Sequence, residues 1–577
     1  MKRRLWISIS VLLLGCSAVF AIGALEKALM SKPDLPSLLP EGALLSLEAR
    51  DFGSLLHDWN TSEEKRAWLT SDNYSAFSKS RLFERLSQAQ DEFSAAAGLP
   101  ANESLLENVA GKQSCLGLYN IGNLEFVYVT RLEQQAVENT PLWQTRNKFE
   151  QRTEAGTVFY VHKDKQSSRV AVFASRDGWL ILGTREDLVA GVLDRLAETA
   201  SQNLASEGWY VEAIKQANST RGDLRMVLNL EKLVPSPYFR SYWVQRNVTE
   251  MKQYSSAVSD LYRSGQSYRE ERVLVRRPGV PAAAHGDVRS LAALAPKDAA
   301  FYAAQASPDP ERLLRSLREN LLEVRPEQQA ASYTTAPEAV VAENAGSATQ
   351  LDTTIDTAPV AVKQVDAYAP LRALLTAQQP DASLEVFSTR APRDGVFVSL
   401  QTAMAVTAPQ AWDESAVRLA LTQALMPGLT TGKLGVNWEK RSSAGGEYLA
   451  LDGAVPLYLA VNGKLLLLAN DSALMEKLLA LRQSATPASG KDSLTYAALF
   501  RHTQEQGNFR RLMAQLDLAG HRGTVDQAAA SGGEGPAFFS GNARSLSRVF
   551  SRLESERIEE KDQGDTVTQT VTYQWSR

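Results

Sequence analysis

Two segments of the chain carry the same succession of apolar and polar positions. In each, two apolar runs surround a short polar turn. The runs are Arg169–Phe173 with Trp179–Leu182, and Leu457–Val461 with Lys464–Leu468. Asp177-Gly178 and Asn462-Gly463 occupy the turns, and both dipeptides favour tight hairpins because they tolerate positive φ. The pattern therefore predicts one antiparallel hairpin in each segment.

A helix is predicted directly after each hairpin. Its apolar residues recur at three- and four-residue spacing, which places them on one buried helical face. They are Leu188, Val189, Val192, Leu193 and Leu196 in the first segment, and Leu474, Met475, Leu478 and Leu479 in the second. Thr184 with Asp187 predicts a capping box on the first helix. Asp471 or Ser472 is expected to cap the second helix.

Other landmarks recur in the same order in both segments. They are a strand leading into a helix at 43–56 and 299–317, a hairpin at 115–129 and 384–400, an apolar segment at 222–230 and 507–516, a helix at 255–262 and 546–553, and a closing strand at 272–276 and 566–573. The last strand alternates apolar and polar residues, so we expect it at a sheet edge.

This ordered recurrence predicts an α+β fold of two similar domains, each a mainly antiparallel sheet of hairpins with helices packed on one face. The predicted boundaries are a first repeat domain at 39–277, a linker at 278–291 and a second repeat domain at 292–577. Residues 328–362 lack sustained periodicity and large apolar side chains, which predicts a disordered insertion. The alternative is that two unrelated α+β segments look alike under loose gapping.

The N-terminal segment has the composition of a membrane anchor. A basic tip at 1–4 precedes an uncharged run at 5–25, which as a helix rising about 1.5 Å per residue would cover about 30 Å of hydrocarbon. The charge asymmetry predicts a signal-anchor transmembrane helix in the inner membrane, with the tip cytoplasmic. Residues 26–38 are then a stalk, and the bulk of the chain is periplasmic or extracellular.

Two alternative fates of this segment remain open. Cleavage after Ala21 or Gly23 would release a secreted protein, because small residues lie three positions apart there. Lipidation at Cys16 would give a lipoprotein. The run stays apolar through Leu25, which favours its retention as a helix.

The charge balance bears on partners. A formal net charge of −4, from 62 basic and 66 acidic side chains, provides no field that would gather nucleic acid. A polynucleotide partner is therefore not expected. Cys115 lies in an apolar strand and is expected to be a small core residue.

No constellation of residues indicates catalysis. The five histidines lack the paired spacing that lets two imidazoles face one metal ion; they are His57, His162, His285, His502 and His521. Gly265–Arg269 ends in a bulky arginine where a serine elbow needs a small residue. Gly428–Leu434 is one residue short of a phosphate loop. The sequence thus predicts no catalytic, cofactor-binding or metal-binding residue.

One aromatic stretch, Pro237–Val244, could line an apolar pocket or a partner surface, since aromatic residues dominate both. Packing in the core is the alternative interpretation and the one we favour.

The starts of the two repeats carry a resemblance to a known family. Leu39–Ala43 precedes Leu55-Leu56, and Ala295–Ala299 precedes Leu313-Leu314. These segments resemble a widespread bacterial family of exported, membrane-anchored proteins known as a domain of unknown function. The resemblance spans both repeats, so it implies tandem copies and an extracytoplasmic location. It assigns no functional residues.

Three hypotheses about function follow. The first is a membrane-tethered extracytoplasmic binding or scaffold protein that acts on a protein partner and is not an enzyme. The second is a carrier or sensor of an apolar ligand such as a lipid, suggested by apolar hairpins such as Leu465–Leu468. The third is a hydrolase, which would need polar groups to converge in one cleft.

Overall fold

The computed structural model of the chain describes residues 34–242, 251–282, 286–322, 366–390, 399–429, 436–453, 456–484, 494–503 and 552–575. The chain divides into two compact units. The first comprises Met1–Asn60 and Arg81–Val258, and the second comprises Thr61–Ser80 and Ser259–Arg577.

An antiparallel sheet forms the centre of the first unit. Its strands are β1 Leu45–Asp51, β2 Lys112–Asn120, β3 Glu125–Arg131, β4 Glu150–Glu154, β5 Thr157–Lys163, β6 Val170–Arg176, β7 Trp179–Gly183 and β8 Leu224–Asn229. Pairing places them in the order β8-β1-β2-β3-β7-β6-β5-β4. The division between the units falls within the next strand, β9 Tyr254–Ser264.

The second unit also contains an antiparallel sheet. Its strands are β10 Ser267–Arg276, β11 Phe301–Ala306, β12 Ala382–Arg390, β13 Ser399–Thr407, β14 Glu439–Ser443, β15 Gly446–Leu451, β16 Leu457–Asn462, β17 Leu465–Ala469, β18 Leu494–Arg501, β19 Leu553–Asp562 and β20 Thr566–Trp575. Their order is β10-β20-β19-β18-β11-β12-β13-β17-β16-β15-β14. The stretch from β18 to β14 follows the same order of chain positions as β8 to β4.

The predicted hairpins are confirmed. β6 pairs with β7 around Asp177-Gly178, as predicted, and β16 pairs with β17. The second turn lies one residue later than predicted, at Gly463-Lys464, because Asn462 is still paired with Leu465. Asp177 and Gly178 both have positive φ, of 51° and 78°, and Gly463 has a φ of 58°. The hairpin β2–β3 is also confirmed, and β12 forms a hairpin with β13. In that second hairpin, 384–387 pairs with 402–405 and not with the predicted strand at 396–400. The turn between β12 and β13 lies outside the described residues.

Helices of the first unit pack above and below its sheet. They are α1 Phe52–Thr61, α4 Arg81–Ala97, α5 Glu103–Val109, α6 Gln134–Glu138, α7 Pro141–Gln144, α8 Glu186–Leu196, α9 Gly208–Gln216, α10 Leu230–Leu233 and α11 Pro237–Tyr242, with 3-10 turns at Leu35–Leu38, Arg146–Lys148 and Leu204–Ser206. Two short helices that the contacts assign to the second unit, α2 Glu63–Leu69 and α3 Asp72–Phe77, follow α1 in the chain.

The prediction that helices cover one face of the sheet is wrong, because both faces are covered. In β7, Trp179 and Ile181 face a cluster formed with α8 and α9. Leu180 and Leu182 face a second cluster formed with α4, α5 and α7. A strand buried on both faces is apolar throughout instead of alternating. The sequence pattern of Trp179–Gly183 reflects this two-sided burial.

The second unit has two such clusters as well. Its remaining helices are α12 Val288–Ala292, α13 Pro310–Leu317, α14 Ala369–Gln378, α15 Glu414–Leu429 and α16 Ser472–Ser484, with a π-helical turn at Arg318–Leu322. One cluster combines sheet residues with α12 and α16, and the other combines them with α13, α14 and α15. The apolar run Leu465–Leu468 divides between the two clusters, so helices on both sides account for it.

The two predicted apolar stripes are confirmed as buried helical faces in α8 and α16. Asp471 caps α16, since its Oδ1 accepts from the Leu474 amide at 2.9 Å. The capping box predicted for α8 is wrong. The Thr184 hydroxyl instead accepts from the Phe126 amide at 2.9 Å and so joins α8 to strand β3.

Three predictions about the closing segments are wrong or corrected. Residues 255–262 form strand β9, not a helix. β20 is not a sheet edge, because it pairs with β19 on one side and β10 on the other. The strand that occupies the place of β8 in the second unit is β18, which pairs with β11; the predicted counterpart at 507–516 lies outside the described residues.

Several other predictions concern residues that the structure does not describe. They are the cytoplasmic tip at 1–4, the signal anchor at 5–25, most of the stalk at 26–38 and the insertion at 328–362. Within the described ranges, every helix is too short or too polar to span a bilayer.

Candidate functional site

A row of three residues crosses the three strands at the β8 end of the first unit's sheet. Glu48 on β1 pairs with Cys115 on β2 and with Arg225 on β8. Glu48 is 5% exposed, Arg225 is 3% exposed and Cys115 is fully buried. Ionised side chains are rarely buried this deeply unless they are paired, because transfer out of water is costly.

Hydrogen bonds fix both oxygens of the Glu48 carboxylate. The Tyr210 hydroxyl of α9 donates to Oε1 at 3.2 Å. Arg221, in the loop before β8, donates through Nη1 to Oε2 at 2.9 Å. Its Nη2 donates to Oδ1 of Asp34 at 2.6 Å, so one guanidinium bridges two carboxylates. Because the guanidinium fork fixes donor geometry, this bridge orients Glu48 and Arg221 together.

Burial changes the proton affinity of this carboxyl group. Removal from water raises the pKa of Glu48 above its ordinary value, and the Arg221 charge opposes that rise without cancelling it. For Arg221 itself, burial lowers the pKa, but the charges of Glu48 and Asp34 outweigh burial and raise it. The protonation of Glu48 is thus coupled to its ion pair with Arg221, which also binds Asp34.

A cavity of about 350 Å³ opens beside this row. Its charged lining residues are Asp34, Glu48, Arg50, Arg131, Arg221 and Arg225. Four arginines against two carboxylates leave an excess of two positive charges. A cavity of this size is at the small end of ligand pockets.

Arg50 and Arg131, called the rim arginines below, differ from the other two arginines in their pairing. Arg50 and Arg131 are exposed, and no carboxylate in the described part of the chain lies within ion-pair distance of either guanidinium. Arg131 instead lies over the ring of Trp179, its cross-strand partner, at 5.2 Å from the ring centroid. The stacking restricts this guanidinium by a cation–π interaction.

A β-bulge shapes the wall of the cavity. The register of β2 against β3 shifts between Lys112 and Ser114, and the intervening Gln113 has a φ of 57°. Gln113 lines the cavity. A residue other than glycine held at positive φ stores strain, and bulges commonly re-aim side chains at functional sites. The strained bulge at Gln113 therefore lies at the same cavity as the charged side chains.

The chemistry of this site favours binding. Burial raises the pKa of the Cys115 thiol well above its ordinary value, with the Glu48 charge adding to the effect. A buried thiol of high pKa is a poor nucleophile, and Cys115 is a core residue as predicted. The described lining holds guanidinium, carboxylate, amide and indole groups, which can bind and orient an anion.

The second unit presents a different row at the corresponding strand positions. In β11, Ala304 pairs with Leu384 on β12 and with Ala497 on β18. These three residues are buried in one apolar cluster. The apolar row has the same place in its strand order as Cys115, Glu48 and Arg225 have in theirs.

A smaller cavity of about 250 Å³ occurs elsewhere in the second unit, between α13 and α14. Its charged lining residues balance: they are Glu311, Glu319, Asp366, Arg315, Arg318 and Arg372. Arg372 is paired with both Glu311 and Asp366. This cavity has no excess charge to attract an ion.

The histidines do not converge. His57 lies on α1, and His162 Nδ1 is 2.6 Å from the Ala96 carbonyl oxygen. His502 Nε2 lies 3.6 Å from Glu556 Oε2. His285 and His521 are outside the described residues. Within the described ranges, no group of three or more potential ligands among His, Cys, Asp and Glu is arranged to hold a metal ion.

The aromatic stretch 237–244 divides within the described part. Phe239 is 5% exposed, whereas Tyr238 is 47% exposed. Tyr238 lies against Gly122, where an added Cβ would come within 2.4 Å of the tyrosine ring. This glycine is therefore required for the close contact.

Sequence reasoning missed the charged row and its cavity. Glu48 is a charged residue inside the apolar run Leu44–Ala49, and the second segment has Ala304 at the matching place. That contrast between the repeats was an available signal. Its significance depends on the pairing of β1 with β8, which local periodicity does not reveal.

Comparisons with known proteins add little. No protein-family model matches the chain, and no curated protein matches it. A solved structure, described as crystal form I of TP0453, aligns with 44% of this chain and 82% of that chain at 9% identity, with a TM-score of 0.24. At this TM-score the alignment does not establish a shared fold.

Proposed function

We propose that this protein is a membrane-tethered extracytoplasmic binding protein, that it is not an enzyme, and that its ligand site is the cavity beside Glu48. In this proposal the second unit is a tandem copy of the same ancestral segment that has kept the strand order and lost the site. The apolar run 5–25 tethers the chain, and the charge asymmetry before it orients the bulk of the chain outside the cytoplasm.

One observation carries the proposal: the charged row Cys115–Glu48–Arg225 occupies strand positions that Leu384, Ala304 and Ala497 fill in the second unit. Apolar side chains satisfy this place in the sheet without desolvating any charge. Replacing buried ion pairs by apolar residues is often neutral or stabilising. Retention of the costly alternative beside a cavity therefore supports a role in binding.

The experiment uses the full chain, purified from membranes under mild conditions and examined by native mass spectrometry. We expect a copurifying small molecule whose occupancy falls in a variant with both Arg50→Gln and Arg131→Gln. The matched control is Arg315→Gln, an exposed arginine at the second cavity. A wild-type chain without any copurifying or added ligand at this cavity would contradict the binding proposal.

Topology is tested separately. Protease added to intact spheroplasts should digest the bulk of the chain while a short N-terminal fragment stays with the membrane. Protection of residues beyond 26–38 would contradict the orientation. Release of the whole chain by washing would favour cleavage, and a mass increase at Cys16 would favour lipidation.

A hydrolase is the second candidate, supported by the raised pKa of the Glu48 carboxyl group at the edge of a cavity. Perturbed carboxyl groups in clefts are typical of general acids. Both oxygens of Glu48 are, however, engaged by Tyr210 and Arg221. Turnover of an ester, phosphoester or glycoside panel that Glu48→Gln abolishes, while anion binding persists, would favour this candidate.

A further inference from the structure

We propose that the cavity of the first unit selects a small dianion carrying carboxylate or phosphate groups, held by Arg50 and Arg131 at the rim. This inference rests on the proposed binding function and specifies its ligand class. It follows from a difference in pairing among the four arginines that line the cavity.

Two of the arginines are already committed within the protein. Arg221 is bound by Glu48 and Asp34 at 2.9 and 2.6 Å. Arg225 is buried beside Glu48 in the sheet, and its Nη2 donates to the Asn218 carbonyl oxygen at 3.0 Å. The two carboxylates of the lining thus balance the charges of Arg221 and Arg225. The charge left for a ligand is that of Arg50 and Arg131.

The rim arginines are suited to anionic groups that present two terminal oxygens. A guanidinium presents a rigid fork of donors that matches carboxylate or phosphate oxygens in a bidentate arrangement. Trp179 holds the Arg131 guanidinium by stacking at 5.2 Å, which lowers the entropy lost when a ligand binds. Glu48, which is buried in the wall of the cavity, disfavours an anion that penetrates fully, so the charged groups of the ligand lie at the exposed arginines.

Size restricts the ligand class further. Water occupies about 30 Å³ per molecule in the liquid, so a cavity of about 350 Å³ has room for a compact metabolite of roughly ten non-hydrogen atoms. A dicarboxylate or a small phosphate monoester fits this volume.

The test is calorimetric titration of the full chain in detergent with succinate, malate, inorganic phosphate and glycerol 3-phosphate at low ionic strength. Glycerol and choline are the neutral and cationic controls. We expect at least one dianion to bind, and Arg50→Gln and Arg131→Gln each to weaken it about tenfold or more, which is about 1.4 kcal/mol. Arg315→Gln should leave the affinity unchanged. Carboxylates and phosphates as separate arms identify the group that is recognised.

The copurification and titration results together distinguish this inference from the general binding proposal. If a molecule copurifies with the wild-type chain, is lost from the rim variants and proves to be neutral or cationic, the dianion inference fails and the binding function stands. If no dianion binds and nothing copurifies, both fail. Equal weakening in Arg315→Gln would also overturn the inference, because it would indicate nonspecific attraction.

Discussion

The first unit and the second unit solve the same structural problem with different side chains. Glu48 and Arg225 lie on β1 and β8 of one sheet, and Ala304 and Ala497 lie at the corresponding strand positions of the other. Both rows are buried. The difference teaches that this strand order does not require charge at these positions, so the charged row calls for an explanation outside folding.

A second comparison is between the two buried ion pairs, one in each unit. In the second unit, Arg276 and Asp562 form an ion pair at 2.7 Å, with side chains only 6% and 1% exposed. This pair lies where β10, β19 and β20 come together and is not part of either cavity described above. The Glu48–Arg221 pair differs because Arg221 is 41% exposed and lines a cavity.

The largest effect is expected when the charged row is imposed on the second unit. Ala304→Glu places a carboxylate in an apolar cluster without a partner, so it should lower the free energy of unfolding by about 5 kcal/mol. Urea denaturation with hydrogen exchange at β11 measures the loss. Gln305→Glu, at the next position on the opposite face, is the control and should cost less than about 1 kcal/mol. Equal costs would contradict the assignment of Ala304 to a closed core.

The buried ion pair of the second unit should give the next largest effect. Asp562→Ala leaves the Arg276 guanidinium buried without its carboxylate partner, which should cost about 4 kcal/mol. The exposed pair of Lys477 and Asp298 serves as the comparison, and Asp298→Ala should cost less than about 1 kcal/mol. A small loss for Asp562→Ala in urea denaturation would mean that water reaches the pair.

The charged row of the first unit predicts a pH dependence. Because burial raises the pKa of Glu48, the folded protein binds a proton more tightly than the unfolded chain does. Stability from this group is then fully present below its ordinary pKa of 4.5 and is lost as the pH rises toward the raised value. Relative to Glu48→Gln, the wild type should therefore lose free energy of unfolding with rising pH.

Urea titrations of both proteins at several pH values from about 4 upward measure this difference. Glu212→Gln, on the exposed side of α9, controls for the loss of a carboxyl group. A wild-type protein that gains stability relative to Glu48→Gln over this window would show that Arg221 dominates over burial.

The smallest predicted effects concern the two tight turns, which should behave alike. Gly178→Ala and Gly463→Ala each force alanine to a positive φ, of 78° and 58°, and each should cost about 1 kcal/mol. Gly208→Ala, at the first residue of α9 with open space for a Cβ, should be neutral or slightly stabilising. Thermal denaturation distinguishes them, and no loss of stability in Gly178→Ala or Gly463→Ala would contradict the positive φ assigned to that glycine.

The parts of the fold that could be predicted from the sequence are those determined by residues close together in the chain. Asp177-Gly178 and Gly463 specify turns through backbone conformations that few residues adopt, and the stripe on α8 specifies its buried face. The layering was missed because a continuous apolar run such as Trp179–Gly183 does not say how many faces are covered. The helix predicted at 255–262 failed because strand pairing overrode weak local spacing.

The candidate site was beyond local reasoning for a related cause. Glu48, Arg221 and Asp34 come together only when β1 pairs with β8 and the 3-10 turn at Leu35–Leu38 packs nearby. Each residue alone is typical of a solvated surface. The register of strand pairing brings these three residues together as the charged lining of one cavity.

The position of β20 between β10 and β19 has a consequence for folding during synthesis. β10 pairs with β20 along nine residue pairs, and Arg272 donates to Gln569, which follows it by 297 residues. At about 5 to 20 residues per second, a ribosome needs roughly 15 to 60 s to supply that neighbour. During this interval β10 has an unfilled edge open to any passing nascent strand. A transcript truncated before Thr566 would make that exposure permanent.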